Sequence, residues 1–270
     1  MAIIDYTGRY GLDFNPFLKN SKEIISETKE TREARYRLDY LLQTKGFGLL
    51  TGGAGSGKTT IVRNWCHDLN PSLYTVVYSS LSTLNVNEFY RNLATELGAA
   101  PAYHKSKNFH IIQDEINRLA IEKRRTPVII MDEANQIGTT ILNDLKMIFN
   151  FEMDSKDRAV VLMVGLPALN NTLRMSVHEP LRQRLVMNYN LENLTKEEGR
   201  AYICAKLKGA GCTQIVFEEQ AINAILNVAN GIPRMINKIC NASLLVGNSM
   251  GINIINADAV MQAVNDCELG

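Results

Sequence analysis

Gly46-Phe47-Gly48-Leu49-Leu50-Thr51-Gly52-Gly53-Ala54-Gly55-Ser56-Gly57-Lys58-Thr59-Thr60 runs from a short apolar stretch through a glycine-rich turn into a helical pattern. Gly52 to Thr59 fits the GxxxxGK[ST] pattern, in the strand-before, helix-after context that pattern requires. The physical need is for successive backbone N–H groups to converge on phosphate oxygens. Gly52, Gly55 and Gly57 permit the dihedrals and the close approach. The helix starting at Lys58 adds the partial positive charge of its N-terminus, Lys58 is placed to reach the β- and γ-phosphates, and the Thr59 hydroxyl to bind Mg2+. Gly52, Gly53, Ala54, Gly55, Ser56, Gly57, Lys58, Thr59 and Thr60 are therefore the expected ATP-binding residues.

A second signal completes a nucleotide site. Val128-Ile129-Ile130-Met131 is a buried-strand run that ends in Asp132-Glu133. Ligands of open α/β sheets lie at the carboxyl ends of the strands, which puts both acids beside the triphosphate. Asp132 is expected to hold a magnesium-bound water, with Thr59 as the other metal-site residue. Glu133 is expected to orient the attacking water, because phosphoryl transfer needs positioning and charge more than covalent chemistry.

Working outward, short β-rich runs alternate with helical patterns from Gly46 to about Leu191, which predicts a parallel sheet covered on both faces. The predicted strands are 47–51, 74–79, 128–131, 159–164 and 186–189. The predicted helices between them are 58–69, 86–97, 109–122 and 141–151. After Leu191 only helical periodicity remains, at 197–207, 219–229, 234–246 and 257–264. Thr195 with Glu198 marks the first start as a capping box. The expected organisation is a lead-in segment 1–45 packing on the core and containing one helix at 31–42, an α/β core 46–193, and an all-helical domain 194–270.

Composition excludes several classes. A hydrophobic share of 46% suits an ordinary globule, and no apolar run reaches membrane length. The start lacks a secretion-signal pattern. Cys66, Cys204, Cys212, Cys240 and Cys267 are scattered without a CxxC pair, so neither a disulfide framework nor a zinc site is expected and a cytoplasmic location fits. His67, His110 and His178 have no metal-ligand spacing and read as structural. A net charge of +1 decides little about nucleic acid, since a local basic stripe can be balanced elsewhere.

The glycine loop, Asp132-Glu133, Pro180-Leu181-Arg182-Gln183-Arg184-Leu185 and Gly231-Ile232-Pro233-Arg234 occur in this order and together resemble an AAA+ ATPase. Within that class the chain is similar to the ATPase module of the ExeA (general secretion protein A) group and to the transposon ATPases TniB and TnsC. Tyr10-Gly11-Leu12, Asn15-Pro16-Phe17, Val164-Gly165-Leu166-Pro167 and Leu181-Arg182-Gln183-Arg184 carry the ExeA likeness. The resemblance implies a P-loop NTPase (AAA+) fold, with a five-stranded parallel sheet ordered 5-1-4-3-2 between helices and a small C-terminal helical lid. It also implies an active site shared between neighbours in a homo-oligomeric ring or filament. On this likeness Arg184 matches the arginine finger, with Arg182 the close competitor, and Arg234 matches the sensor-2 arginine that touches the γ-phosphate. A guanidinium there stabilises transition-state charge and is worth about 10³–10⁵ in rate when supplied by a neighbour. Arg182 and Arg184 also read as a solvated basic helix end. One departure stands out: Val164-Gly165-Leu166-Pro167 offers no polar sensor-1 residue, which leaves water positioning to Glu133 with help from Asn135 or Gln136.

The motifs do not name the client. ExeA-type proteins continue into a membrane helix, and no such span precedes Gly270. The expectation is therefore a transposition regulator that partners double-stranded DNA and a transposase, without a membrane. The alternatives are an ATPase of secretion-system assembly and a nucleotide-gated switch with slow hydrolysis. Tyr103-His104-Lys105-Ser106-Lys107, Arg124-Arg125, Lys146 and Arg174 are soft candidates for DNA phosphate contacts, and each also reads as solvated surface.

Overall fold

A computed structural model describes residues 6–79 and 85–267; the outer limits of the expected domains, residues 1 and 270, lie outside them. In chain order the elements are α1 (Lys29–Thr44), β1 (Gly46–Gly52), α2 (Lys58–Asp68), β2 (Tyr74–Ser79), α3 (Val86–Glu96), α4 (Lys105–Asn117), β3 (Thr126–Met131), α5 (Thr139–Ile148), β4 (Val160–Gly165), α6 (Ala168–Arg174), α7 (Glu179–Arg182), β5 (Leu185–Leu191), α8 (Lys196–Gly209), α9 (Glu219–Ala229), α10 (Pro233–Ser249) and α11 (Ala257–Cys267).

The five strands form one sheet in the order β2-β3-β4-β1-β5, with every pairing parallel. This is the order the resemblance implies. Alternation along each strand separates two apolar faces. Phe47, Leu49, Ile129, Met131, Val161 and Met163 pack with residues of α3, α4, α5, α6 and α7. Leu50, Val128, Ile130, Leu162 and Val164 pack instead against Ala34, Leu38 and Leu41 of α1 and Val62 and Trp65 of α2. Burial on both faces explains why β1, β3 and β4 read as unbroken apolar runs.

The chain divides into two compact units. One comprises residues 33–53 and 58–191 and contains the sheet. The other comprises residues up to 32, 54–57 and 192 onward, and it holds the C-terminal helices. In this second unit Tyr6, Tyr10, Leu12 and Phe17 are buried with Ile203, Phe217, Ile225, Ile239 and Leu244. Asn15 donates to the Tyr6 hydroxyl (2.6 Å) and to Asn241 Oδ1 (2.7 Å), and its own carbonyl oxygen accepts from Phe17 N (2.9 Å). Buried Lys206 of α8 donates to the Pro16 carbonyl (3.3 Å). The expectation that the whole lead-in packs on the sheet domain is therefore corrected: residues 6–32 belong with the C-terminal helices, and only α1 from Glu33 onward covers the sheet. Apolar and amide side chains in this stretch find their partners in α8–α11 rather than on a strand.

Two helix readings also change. The stretch expected as one helix at 109–122 is α4, which already begins at Lys105, followed by a π-helical turn at Arg118–Glu122. The short helices α6 and α7 follow β4, where the sequence marks only a basic helix end at Arg182 and Arg184; neither is long enough to display a helical period.

Candidate functional site

The glycine loop joins β1 to α2, and its geometry explains its composition. Gly55 and Gly57 have φ of +80° and +100°, a region that side chains disfavour. A Cβ on Gly55 would also lie 2.8 Å from Arg234 Cβ, so backbone strain and close approach both demand glycine there. Lys58 opens α2 and folds back over the loop, its ammonium donating to the carbonyls of Gly52 and Gly53, both at 2.8 Å. Ser56 Oγ is a buried hydroxyl with no hydrogen-bond partner among the described residues. An orphaned donor inside a loop that precedes a helix N-terminus and a lysine fits a phosphate ligand.

Asp132 follows β3 directly and is 6% exposed. Thr59 donates to Asp132 Oδ2 at 3.0 Å, so the two expected metal-site residues, seventy-three positions apart, meet. Tyr78 donates to the same oxygen at 2.8 Å, and the Glu133 backbone N–H donates to Oδ1 at 2.9 Å. Burial, with the hydrogen bond to Asp132 adding to it, pushes the Tyr78 hydroxyl up to about 12, so it remains a donor at neutral pH. A carboxylate beside a hydroxyl at the head of a helix is the oxygen-rich donor set that Mg2+ takes. Mg2+ held there would supply charge neutralisation to a bound triphosphate.

Glu133 is exposed and sits in the left-handed region (φ 51°, ψ 36°). For a residue other than glycine this costs on the order of 1–3 kcal/mol, and such strain concentrates at functional sites. The short 3-10 turn that follows places Asn135 against the end of β4, where its side-chain oxygen accepts from Leu166 N at 2.9 Å; Gln136 is exposed.

The arginines divide. Arg234 lies in the first turn of α10, exposed, with its backbone N–H on the Gly55 carbonyl at 3.2 Å. Arg182 is exposed at the end of α7, with Nη1 donating to the carbonyls of Arg174 (3.0 Å) and Leu173 (3.4 Å) at the end of α6. Arg184 is half-buried and committed within its own sheet unit. It donates to the carbonyls of Lys146 (2.7 Å) and Phe149 (3.2 Å) at the end of α5, pairs with Asp154 (2.6 Å) and covers the Phe47 ring at 5.4 Å. Phe47 is at the opposite end of β1 from Gly52. Both guanidiniums thus sit on helix-end carbonyls; Arg184 is the more deeply held of the two.

The soft basic candidates divide as well. Lys105 is not a free cation of a loop: it belongs to α4 and pairs with buried Asp144 of α5 at 2.5 Å. Tyr103, Lys107, Arg124, Arg125 and Arg174 are exposed, and Lys146 is half-exposed. His178 is fully buried, and burial lowers its pKa; His67 and His110 are exposed. No cluster of three or more His, Cys, Asp or Glu side chains suited to a metal occurs among the described residues, and all five cysteines are free. No described helix is long and apolar enough to cross a membrane.

Sequence reasoning missed Tyr78 and a second polar cluster, in which Asn170 of α6 donates to Thr51 (2.9 Å) and Thr51 donates to Asn190 of β5 (3.0 Å), immediately before the glycine loop. The strand order was a usable signal for Tyr78, since β2 beside β3 brings its last residues next to Asp132.

Residues 40–173 match the family described as AAA domain. General secretion pathway protein A of Aeromonas hydrophila is 30% identical over 96% of this chain and 48% of the relative, so the chain spans about half of that protein's length. Among solved structures, Cdc6p of Pyrobaculum aerophilum has a TM-score of 0.73 at 17% identity, covering 94% of this chain and 71% of that one. The ORC2 protein of Aeropyrum pernix, solved as ADPNP–ADP complexes, has 0.71 at 17%, covering 96% and 73%. The ORC1 protein of the same organism, solved in complex with DNA, has 0.68 at 14%, covering 94% and 69%. Residues 40–173 thus match an AAA domain, in a chain whose fold matches these structures over nearly its whole length and in which Thr59, at the head of α2, meets Asp132 at the end of β3.

Proposed function

We propose that the chain hydrolyses ATP at the subunit interfaces of a homo-oligomer and uses the cycle to engage double-stranded DNA and a partner transposase. The observation that carries the hydrolytic part is the Thr59–Asp132 contact, which joins the head of α2 to the end of β3 with Glu133 poised beside it. Lys58, with Ser56 and the loop backbone, holds the β- and γ-phosphates. Thr59 and a water on Asp132 hold Mg2+. Glu133 orients the attacking water, and Arg234 touches the γ-phosphate. Arg182, exposed and only lightly held by two carbonyls, enters the neighbouring subunit's site.

The DNA role is supported by the structural likeness to an ORC1 protein solved with DNA, and by exposed Lys107, Arg124 and Arg125 on the sheet unit. A second reading is favoured by one observation, the 30% identity to general secretion pathway protein A. In it the same motor acts on a secretion component. A third, a nucleotide-gated switch with slow turnover, draws on Leu166 standing where a polar side chain serves in similar proteins.

Electron microscopy of the protein with ATP, with and without duplex DNA, separates these. Rings or filaments that form on DNA with ATP, together with DNA-stimulated phosphate release, are the expected result. Assembly indifferent to DNA removes the transposition reading and leaves the secretion one. Assembly on ATP with no phosphate release selects the switch.

A further inference from the structure

We propose that Tyr78 is a positioning residue of the magnesium site, its hydroxyl fixing the carboxylate of Asp132 for the metal's water. The proposal rests on the reading of Thr59 and Asp132 as the magnesium pair. Asp132 stands just past the end of a strand, and its carboxylate torsion is intrinsically broad. Its Oδ1 is held by the Glu133 N–H at 2.9 Å, which moves with the same turn. Its Oδ2 meets Thr59 at 3.0 Å, but that hydroxyl is itself assigned to the metal. Tyr78 is a donor from outside this group, at 2.8 Å.

Its carrier is suited to the task. Tyr78 pairs with Ile130 in the β2–β3 register, and Asp132 N donates to Ser79 O at 3.0 Å, so sheet hydrogen bonds fix the phenol's origin relative to the carboxylate. Residues 128, 130 and 132 alternate onto the face shared with α2, the face from which the Tyr78 hydroxyl approaches. Groups that orient a metal's immediate ligands typically contribute about 10–100-fold to metal affinity.

The test uses the full chain and a fluorescent methylanthraniloyl ATP titrated with MgCl2 after EDTA treatment. Tyr78→Phe keeps the ring and removes only the hydroxyl. The half-saturating Mg2+ concentration is expected to rise roughly tenfold, while metal-free nucleotide affinity stays within about twofold. In an Asp132→Asn background Tyr78→Phe is expected to add no further shift, because the pair acts as a unit; a merely structural tyrosine shifts both backgrounds equally, and that result overturns the proposal. An unchanged Mg2+ requirement in Tyr78→Phe also overturns it. If Asp132→Asn still alters the requirement, the magnesium-site reading survives that failure; if Asp132→Asn is silent too, both fall.

Discussion

Asn135 Oδ1 accepts the backbone N–H of Leu166 at 2.9 Å, and Gly165 makes room for it: a Cβ there would lie 2.8 Å from the same oxygen. The contact ties the strained turn that carries Glu133 to the end of β4, the place where Leu166 offers no polar side chain. The amide thus couples the turn carrying Glu133 to the end of β4. Asn135→Ala is expected to leave ATP affinity near its original value and to lower the turnover number on the order of 10–100-fold, the scale of a displaced catalytic group. Steady-state phosphate release and equilibrium nucleotide binding measure the two separately. Full turnover in Asn135→Ala counts against the tie.

Arg182 and Arg184, two residues apart, are expected to fail differently. Arg184→Ala removes two carbonyl hydrogen bonds at the end of α5 and the pair with Asp154. Interactions with charged groups of this kind are worth about 1.5–3 kcal/mol, so the melting temperature should fall by several degrees. Arg182→Ala is expected to melt normally, lose ATPase activity, and recover part of it when mixed with Lys58→Ala subunits, since the mixture pairs an intact finger with an intact pocket. Calorimetry and mixing assays decide; a stable, inactive, rescuable Arg184→Ala would restore the original assignment.

The contrast shows what was legible in the sequence. The glycine loop and Asp132-Glu133 are local patterns dictated by phosphate and metal chemistry, and the fold sets them together as the strand order requires. Both arginines fit the same short motif. Both reach the carbonyls of a helix end; what separates them is that Arg184 is half-buried and paired with Asp154, which depends on where the fold brings residues thirty positions away and is invisible along the chain. Lys105 was misread for the same reason: its partner Asp144 is thirty-nine residues away, buried on another helix. Tyr10-Gly11-Leu12 and Asn15-Pro16-Phe17 were visible only as a likeness, because an irregular segment has no periodicity to say which face it covers.

That lead-in segment is now accountable as part of the C-terminal unit. Asn15→Leu leaves the Phe17 N–H without its acceptor, and leaves the Tyr6 hydroxyl and the Asn241 carbonyl oxygen with their mutual 3.3 Å hydrogen bond but without the Asn15 amide. A buried polar group left unsatisfied costs about 1–3 kcal/mol, so the variant should be destabilised by about that much. Limited proteolysis should cut first before Thr28, and denaturant unfolding should give the loss. A variant as stable as the original chain would mean that the segment is only draped over the helices.

His178 supplies a prediction about pH. It is fully buried, and neither ring nitrogen has a hydrogen-bond partner among the described residues. Burial lowers its pKa from the ordinary 6.5, so the unfolded chain binds this proton more tightly than the folded one. The neutral ring therefore costs no stability above the unfolded value. Stability is lost progressively as the pH falls from there through the lowered folded value. His178→Phe removes the titration while keeping a ring in the site, and it should flatten the dependence of unfolding free energy on pH between about 7 and 5. Urea unfolding at a series of pH values measures the slope. An equally steep slope in His178→Phe would place the acid sensitivity elsewhere, because a ring without a titratable proton cannot respond to pH.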